Sequence, residues 1–343
     1  MQMLASSPQL RVTVEDPSQV GEYRRAAQRL AETFDFDETL VGRVGIVAAE
    51  LTNNVLKHAG RGEMLLQAIH DGDDAMIELV SIDRGPGMQV EKCLRDGYST
   101  AGTSGTGLGA VSRMSSLFDV YSVEGQGTVA VARIARQKAG RRGAHPAAAL
   151  DLNFGAVCVA VAGETECGDG WRAALEAKTL VMMVVDGLGH GPLAASAARV
   201  AGEVFGQRPL EPPAEIMQHM HSALSGSRGA AAACAVLDSA NAAVTYSGVG
   251  NIAGCVVSAE RSKGMVSHNG ILGVQLPRKQ QFEYACGPNC HVVMHSDGLS
   301  ARWALQTYPG LWVRHAAVIA AVLYRDHARA RDDATILVAS PRS

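Results

Sequence analysis

Acidic and amide side chains recur in this sequence beside glycines or at the ends of apolar runs, in patterns that suit phosphoryl chemistry. In Glu50-Leu-Thr-Asn-Asn54, Glu50 and Asn54 stand at i and i+4, on the same side of a helix and beside its apolar stripe. A carboxylate next to an amide oxygen suits proton acceptance near an oxygen-liganded Mg2+. Asp83-Arg-Gly-Pro-Gly-Met88 supplies an acceptor carboxylate, and Gly85 and Gly87 allow a sharp bend and close ligand approach. Gly105-Thr-Gly-Leu-Gly109 opens onto a helix, where bare amides and a helix N-terminus make a phosphate cradle. Further along, Asp169, Asp186, Asp297 and the pair Asp332-Asp333 each follow an apolar run, precede a strand or adjoin glycine. Carboxylates at strand ends can converge on one sheet edge and select Mg2+ or Mn2+. Two such ions can share a water, lower its pKa and present hydroxide to phosphorus.

Each signal alone has a plainer reading. A Glu/Asn pair is common on helix surfaces, and Asp-Gly is an ordinary turn former. Gly105, Gly107 and Ala110 satisfy a dinucleotide-binding spacing, but the polar loop from Asp96 to Ser104 stands where that motif requires a buried strand. Cys286, Cys290 and His291 lack a fourth soft-metal ligand. His190, near Asp186, is a candidate proton donor to a leaving serine or a residue that supports a ligand.

These residues need strands and helices to position them. Leu40, Val44, Val47, Leu51 and Val55 give a helical period over Glu38–His58, with Asp35 or Asp37 able to cap it. Strands are predicted at Gln9–Val14, Glu63–His70, Ala75–Ile82, Phe118–Val123 and Thr128–Ile134, and helices at Val20–Phe34 and Ala110–Leu117. Residues 1–135 thus form one domain. Residues 136–150, basic and rich in Gly, Ala and Pro, read as a linker. In 151–343, strand candidates cluster in pairs around helices at Pro192–Phe205, Ala214–Ser225 and Val313–Asp326, which favours an α+β class.

Composition sets the outer limits. A chain of 343 residues has room for two domains, and 47% hydrophobic with 19% charged residues excludes a disordered chain. A net charge of −3 removes the basic field expected of a nucleic-acid or membrane-surface binder. No apolar run reaches the roughly 18 residues of a membrane span. The N-terminus shows no secretory pattern, and seven scattered cysteines fit reduced thiols, so a cytoplasmic location is expected. Glycine is over-represented, at 37 residues, without any repeat.

Taken in order, ELTNNVLKHAG (50–60), DRGPGM (83–88) and DGYSTAGTSGTGLGA (96–110) resemble the GHKL ATP-binding fold, within it the RsbT/RsbW-like anti-sigma-factor serine kinases. The resemblance implies an α/β sandwich in which Asn54 holds Mg2+ and Asp83 accepts from the adenine amino group. It further implies that Gly85 and Gly87 shape the adenine pocket. Thr106, Gly107, Leu108 and Gly109 would contact ATP phosphates through their amides, and Glu50 would be the general base toward an acceptor serine. CGDGW (167–171), VVDGLGHGPLA (184–194), YSGVGNI (246–252), GILGV (270–274), MHSDGLS (294–300) and RDDATILV (331–338) resemble the PPM-type phosphatases of the SpoIIE/RsbX-like branch. That implies an α-β-β-α sandwich with two Mn2+ or Mg2+, bridged by Asp186. The carbonyl of Gly187 and the carboxylates of Asp169, Asp297 and Asp332 would complete the set, with Asp333 the alternative to Asp332. No arginine stands upstream of Asp169 where eukaryotic relatives bind phosphate.

Together the resemblances imply a bifunctional regulator of a bacterial partner-switching or stressosome-like pathway. It would phosphorylate and dephosphorylate a serine on a STAS-domain protein, with an anti-sigma factor or activator as a further partner, one activity being gated. Relatives of the first domain pair, so a homodimer is expected. The alternative is that the first domain only clasps a STAS partner while the phosphatase alone is active.

Overall fold

Asp37 rather than Asp35 starts the long helix: its carboxylate accepts from Leu40 N at 2.8 Å, whereas Asp35 takes a left-handed φ of 55° in the preceding turn. This and the other elements come from a computed structural model that describes residues 1–72, 74–90, 107–136, 153–276 and 278–341. The described residues fall into two units, one from Gln9 to Arg136 and the other joining Met1–Pro8 to the residues from 153 onward. The sequence boundary of 1–135 is therefore corrected at its start. β1 (Gln2–Ser6) pairs antiparallel with β8 (Asp169–Glu176), Gln2 opposite Leu175 and Leu4 opposite Ala173, and buries Leu4. Arg136, counted with the linker from sequence, ends a strand; residues 137–150 lie outside the described residues.

The Gln9–Arg136 unit has one antiparallel sheet with helices on one face. β2 (Leu10–Val14), β3 (Gly62–His70), β4 (Ala75–Asp83), β6 (Gly127–Arg136) and β5 (Leu117–Val123) lie side by side in that order. α1 (Ser18–Thr33), α2 (Glu38–Ala59) and α3 (Gly107–Met114) cover it. The α2 stripe Val44, Val47, Leu51 and Val55 meets Met64, Leu66, Ile77 and Leu79 in the core. On the sheet's other face Gln67, Glu78 and Arg133 stand opposite one another on three adjacent strands, all buried. Gln67 donates to Glu78 at 2.7 Å and Arg133 meets the other Glu78 oxygen at 2.7 Å.

The second unit is a four-layer sandwich. One sheet runs β14 (Ser267–His268), β11 (Ala243–Val249), β10 (Ala230–Asp238), β9 (Thr179–Gly187), β8 and β1, with β15 (Phe282–Ala285) also on β11. The other runs β13 (Ser262–Met265), β12 (Ala253–Ser258), β16 (Cys290–His295), β17 (Ala334–Ala339) and β7 (Phe154–Val159). Phe154 and Trp171, with ring centroids 5.1 Å apart, join the two sheets at their packed faces. α4 (Pro192–Gln207) and α5 (Pro213–Ala223) pack on the first sheet through Ala197, Ala201, Phe205, Met217 and Met220. α6 (Ala316–His327) packs on β7 and β17. The class is α+β, with Asp169 at the start of β8, Asp186 near the end of β9, Asp297 just after β16 and Asp332 just before β17. β8 is absent from the sequence expectation, because Gly168, Gly170 and Arg172 mask its alternating buried residues.

Candidate functional sites

The first site grows from α2. Glu50 and Asn54 are half-buried at the edge of its apolar stripe, and the first residue of α3 lies against them. A Cβ on Gly107 would stand 3.3 Å from Glu50 Oε2 and 3.8 Å from Asn54 Oδ1. With no side chain at Gly107, the α3 backbone comes this close to the carboxylate without displacing it. α3 begins three residues earlier than the sequence predicts, so Gly107, Leu108 and Gly109 form its first turn. Amides in a first turn have no partner within the helix. The Leu108 side chain packs on the core. Thr106 and the rest of the loop from Asp96 to Gly105 lie outside the described residues.

The amide nitrogen of Asn54 is buried with no hydrogen-bond partner among the described residues. A buried amide left unused costs about 1–3 kcal/mol, a cost expected where a ligand completes the pairing. Asp83 ends β4, and its Oδ1 accepts from Gly85 N at 2.8 Å and Thr128 N at 3.2 Å, which fixes the carboxylate's direction. Gly85 lies against Ala59 of α2, five residues beyond Asn54 and therefore about 7.5 Å along the helix. Gly87 adopts φ 74° and abuts the Val123 carbonyl, while Gly125 N donates to Pro86 O at 2.8 Å. The Asp83–Met88 bend is thus clamped to the β5–β6 turn. Hard oxygens from Glu50 and Asn54, an orphaned amide and a bare helix start fit a Mg2+–nucleotide phosphate group.

The second site is set by strand register. Asp169 and Asp186 face each other across the β8–β9 ladder, an arrangement that is unfavourable for two like charges. Burial, and then Asp186, hold the Asp169 carboxyl well above the usual carboxylate range, although Ser296 donates to its Oδ2 at 2.6 Å. Burial, and then the Asp297 charge, push Asp186 up to about 7. Asp332 is raised too, by partial burial and by Asp297. Asn251 donates to Asp297 Oδ2 at 2.7 Å and to Asp186 Oδ2 at 3.3 Å, so one amide lies between the two carboxylates.

Asp333 has a different task from its neighbour. Its oxygens accept from Val161 N and Gly168 N, each at 2.7 Å, which ties the β7–β8 connection to the start of β17. Gly187 packs against the Ala194 carbonyl at the start of α4 and donates its N–H to Gly168 O at 3.0 Å. His190 pairs through Nδ1 with Glu164 at 2.7 Å on an exposed rim. Among the described residues, no three His, Cys, Asp or Glu side chains close around one point as a ready-made ligand set. The structure shows pairs, Asp169 with Asp186, and Asp186 and Asp332 with Asp297. An all-oxygen set with this much uncompensated negative charge fits divalent Mg2+ or Mn2+.

A histidine kinase-like ATPase domain model matches residues 13–134, and a stage II sporulation protein E (SpoIIE) model matches 176–342. The serine/threonine-protein kinase RsbT of Bacillus subtilis is 30% identical over 106 residues, covering 31% of this chain and 80% of RsbT. The chain belongs to the RsbT kinase family and carries a SpoIIE phosphatase domain. A solved structure described as a bacterial stressosome, a modular system adapted to control secondary messenger signalling, is 27% identical. It covers 55% of this chain and 98% of its own, with a TM-score of 0.51. RsbX in complex with magnesium is 21% identical, covering 55% and 94%, with a TM-score of 0.49.

Asp169 precedes the stretch that the SpoIIE model matches, and the β8–β9 pairing is what brings it to Asp186. Three residues of the SpoIIE domain escaped the sequence reading: Asn251 between two carboxylates, Ser296 on Asp169, and Asp333 as a clamp. Asn251 sits in YSGVGNI and Ser296 next to Asp297, so proximity to those motifs was the available signal. The Cys286, Cys290 and His291 group is no metal site: His291 uses Nδ1 on Ser340 at 2.7 Å and Nε2 on the Trp312 carbonyl at 3.1 Å. The Cys286 and Cys290 thiols interact with each other, and a second close pair is Cys158 and Cys167 at 3.7 Å. No helix among the described residues is long and apolar enough to cross a membrane.

Proposed function

We propose that this RsbT-type chain both phosphorylates and dephosphorylates a serine of a STAS-domain protein, using ATP in its first domain and a divalent-metal site in its SpoIIE domain. The order of domains is that of a partner-switching regulator. One observation carries the opposed-activity reading: the chain has two separate phosphate-suited oxygen clusters, Glu50–Asn54–Gly107 and Asp169–Asp186–Asp297. In the first, Asn54 would hold Mg2+, Asp83 would accept from adenine, and the amides of Gly107, Leu108 and Gly109 would take phosphate oxygens. Glu50, half-exposed beside them, draws the proton from the serine hydroxyl as it attacks the γ-phosphorus.

In the SpoIIE domain, Asp169, Asp186, Asp297, Asp332 and the Gly187 carbonyl would hold Mn2+ or Mg2+. That group, when bound, supplies a hydroxide nucleophile at neutral pH. Asn251 and Ser296 orient the carboxylates through the hydrogen bonds described, and Asp333 fixes the backbone that carries Asp169. An anti-sigma factor or activator released by the STAS protein would read the outcome. The first domain would pair with a second copy.

The test uses the purified full chain and a STAS-domain protein encoded beside it. Label from γ-labelled ATP should appear on the STAS serine, vanish in Glu50→Ala, and persist longer in Asp186→Asn. A stable complex with no label in any variant would favour the binding-only role of the first domain.

A further inference from the structure

The SpoIIE site described so far has acids in excess and no cation assigned to the phosphoryl group it would handle. One arginine is placed for that task. The β9–β10 ladder pairs Asp186 with Ala231 and Gly187 with Ala230, and Leu188 N then donates to Gly229 O at 3.1 Å. Continued by two residues, this register sets Arg228 against Gly189. The structure bears that out: a Cβ on Gly189 would lie 3.1 Å from Arg228 Nη1. Gly189, at φ 91°, is the bare position over which the guanidinium lies. Three positions along a strand are about 10 Å. That spacing keeps Arg228 out of metal-ligand range of Asp186 and within side-chain reach of a group held there.

Arg228 is exposed and forms no ion pair or hydrogen bond with any described residue. Arg199 and Arg208, by contrast, each hold a glutamate. A guanidinium three register positions from Asp186, laid over bare Gly189, is placed for an anion that arrives with the substrate.

We propose that Arg228 is the phosphate-binding residue of the SpoIIE domain, taking the non-bridging oxygens of the phosphoserine group in a forked hydrogen bond. This rests on the phosphatase reading above. The test is steady-state hydrolysis of p-nitrophenyl phosphate with Mn2+ by the full chain, with inorganic phosphate as product inhibitor. Arg228→Ala should raise KM and the phosphate inhibition constant together by roughly ten- to a hundredfold, the loss of a charge-assisted pair. Arg228→Lys should recover part of both, and Mn2+ affinity by calorimetry should not change. Arg331→Ala, beside Asp332, serves as the rival cation and should leave the phosphate inhibition constant within about twofold. Unchanged KM and inhibition constant in Arg228→Ala, or a larger loss in Arg331→Ala, would overturn the assignment of Arg228 alone. No hydrolysis by the unmutated chain would overturn the phosphatase reading and the assignment with it.

Discussion

The two candidate sites reach phosphate chemistry by opposite electrostatic routes. In the RsbT-type domain the key groups lie along one helix, and the conflict is one of pairing: a buried Asn54 amide finds no partner among the described residues, and bare Gly107 lets a helix start come within touching distance of Glu50. In the SpoIIE domain the conflict is one of charge. Register forces Asp169 opposite Asp186, and Asp297 adds a third carboxylate nearby, so Asp169 and Asp186 are held above the ordinary carboxylate range. A helix can dispose polar groups on its face at little cost, whereas strand ends from two sheets bring like charges together with no room to separate them. The second site is therefore the one where folding and chemistry oppose each other most.

The largest effect expected follows from that opposition. Asp186→Asn should abolish phosphatase turnover by at least about a thousandfold, in the range seen when a central electrostatic group is lost. Phosphoryl transfer by the first domain should continue. In EDTA at pH 8 the same variant should melt a few degrees higher than the unmutated SpoIIE domain, because it removes a carboxylate that the fold disfavours when ionised. Glu50→Gln is the counterpart in the first domain. It should slow serine phosphorylation by about 10²–10⁴-fold while fluorescent-nucleotide binding and phosphatase turnover hold, separating proton removal from binding.

Stability gives a third contrast. Glu78→Ala removes the carboxylate that meets the buried Arg133, and should lower the first domain's urea stability by about 3–5 kcal/mol. The fourth is pH dependence. Asp186 is pushed to about 7 in the folded chain against 3.8 in the unfolded one, so between those values the folded state binds more protons. Stability of the SpoIIE domain in EDTA should then fall as pH rises from about 4 to 7, and Asp186→Asn should flatten that slope. The smallest effect expected is from Gly107→Ala. Its methyl would press on Glu50 Oε2 and should weaken nucleotide binding by severalfold without unfolding the helix.

How much of this was legible in sequence depended on where each residue's partner lies. Glu50 and Asn54 are four residues apart on a strongly periodic helix, so their shared face was readable. Asp186 and Asp297 stand at the ends of apolar runs that became β9 and the stretch after β16, and were readable for the same reason. Asp332 and Asp333 could not be separated by spacing. Only the fold shows that Asp333 gives both oxygens to backbone amides while Asp332 feels Asp297. Asn251 and Ser296 act across the sheets, on Asp297 and Asp186 in one case and on Asp169 in the other, and no local pattern encodes such contacts. β1 and β8 were missed together, each short of the long apolar run that marks a strand, and each completed by the other.

That pairing has a consequence for synthesis. Gln2–Ser6 leaves the ribosome long before the strand it pairs with, which begins only at Asp169. At roughly 5–20 residues per second, Gln2–Ser6 waits on the order of ten to thirty seconds, while the intervening RsbT-type domain has time to fold. A fragment beginning after residue 150 would never receive that strand and would display the β8 edge to other chains. A cut between the two domains therefore does not separate them cleanly, because the SpoIIE sheet takes strands from both sides of the RsbT-type domain.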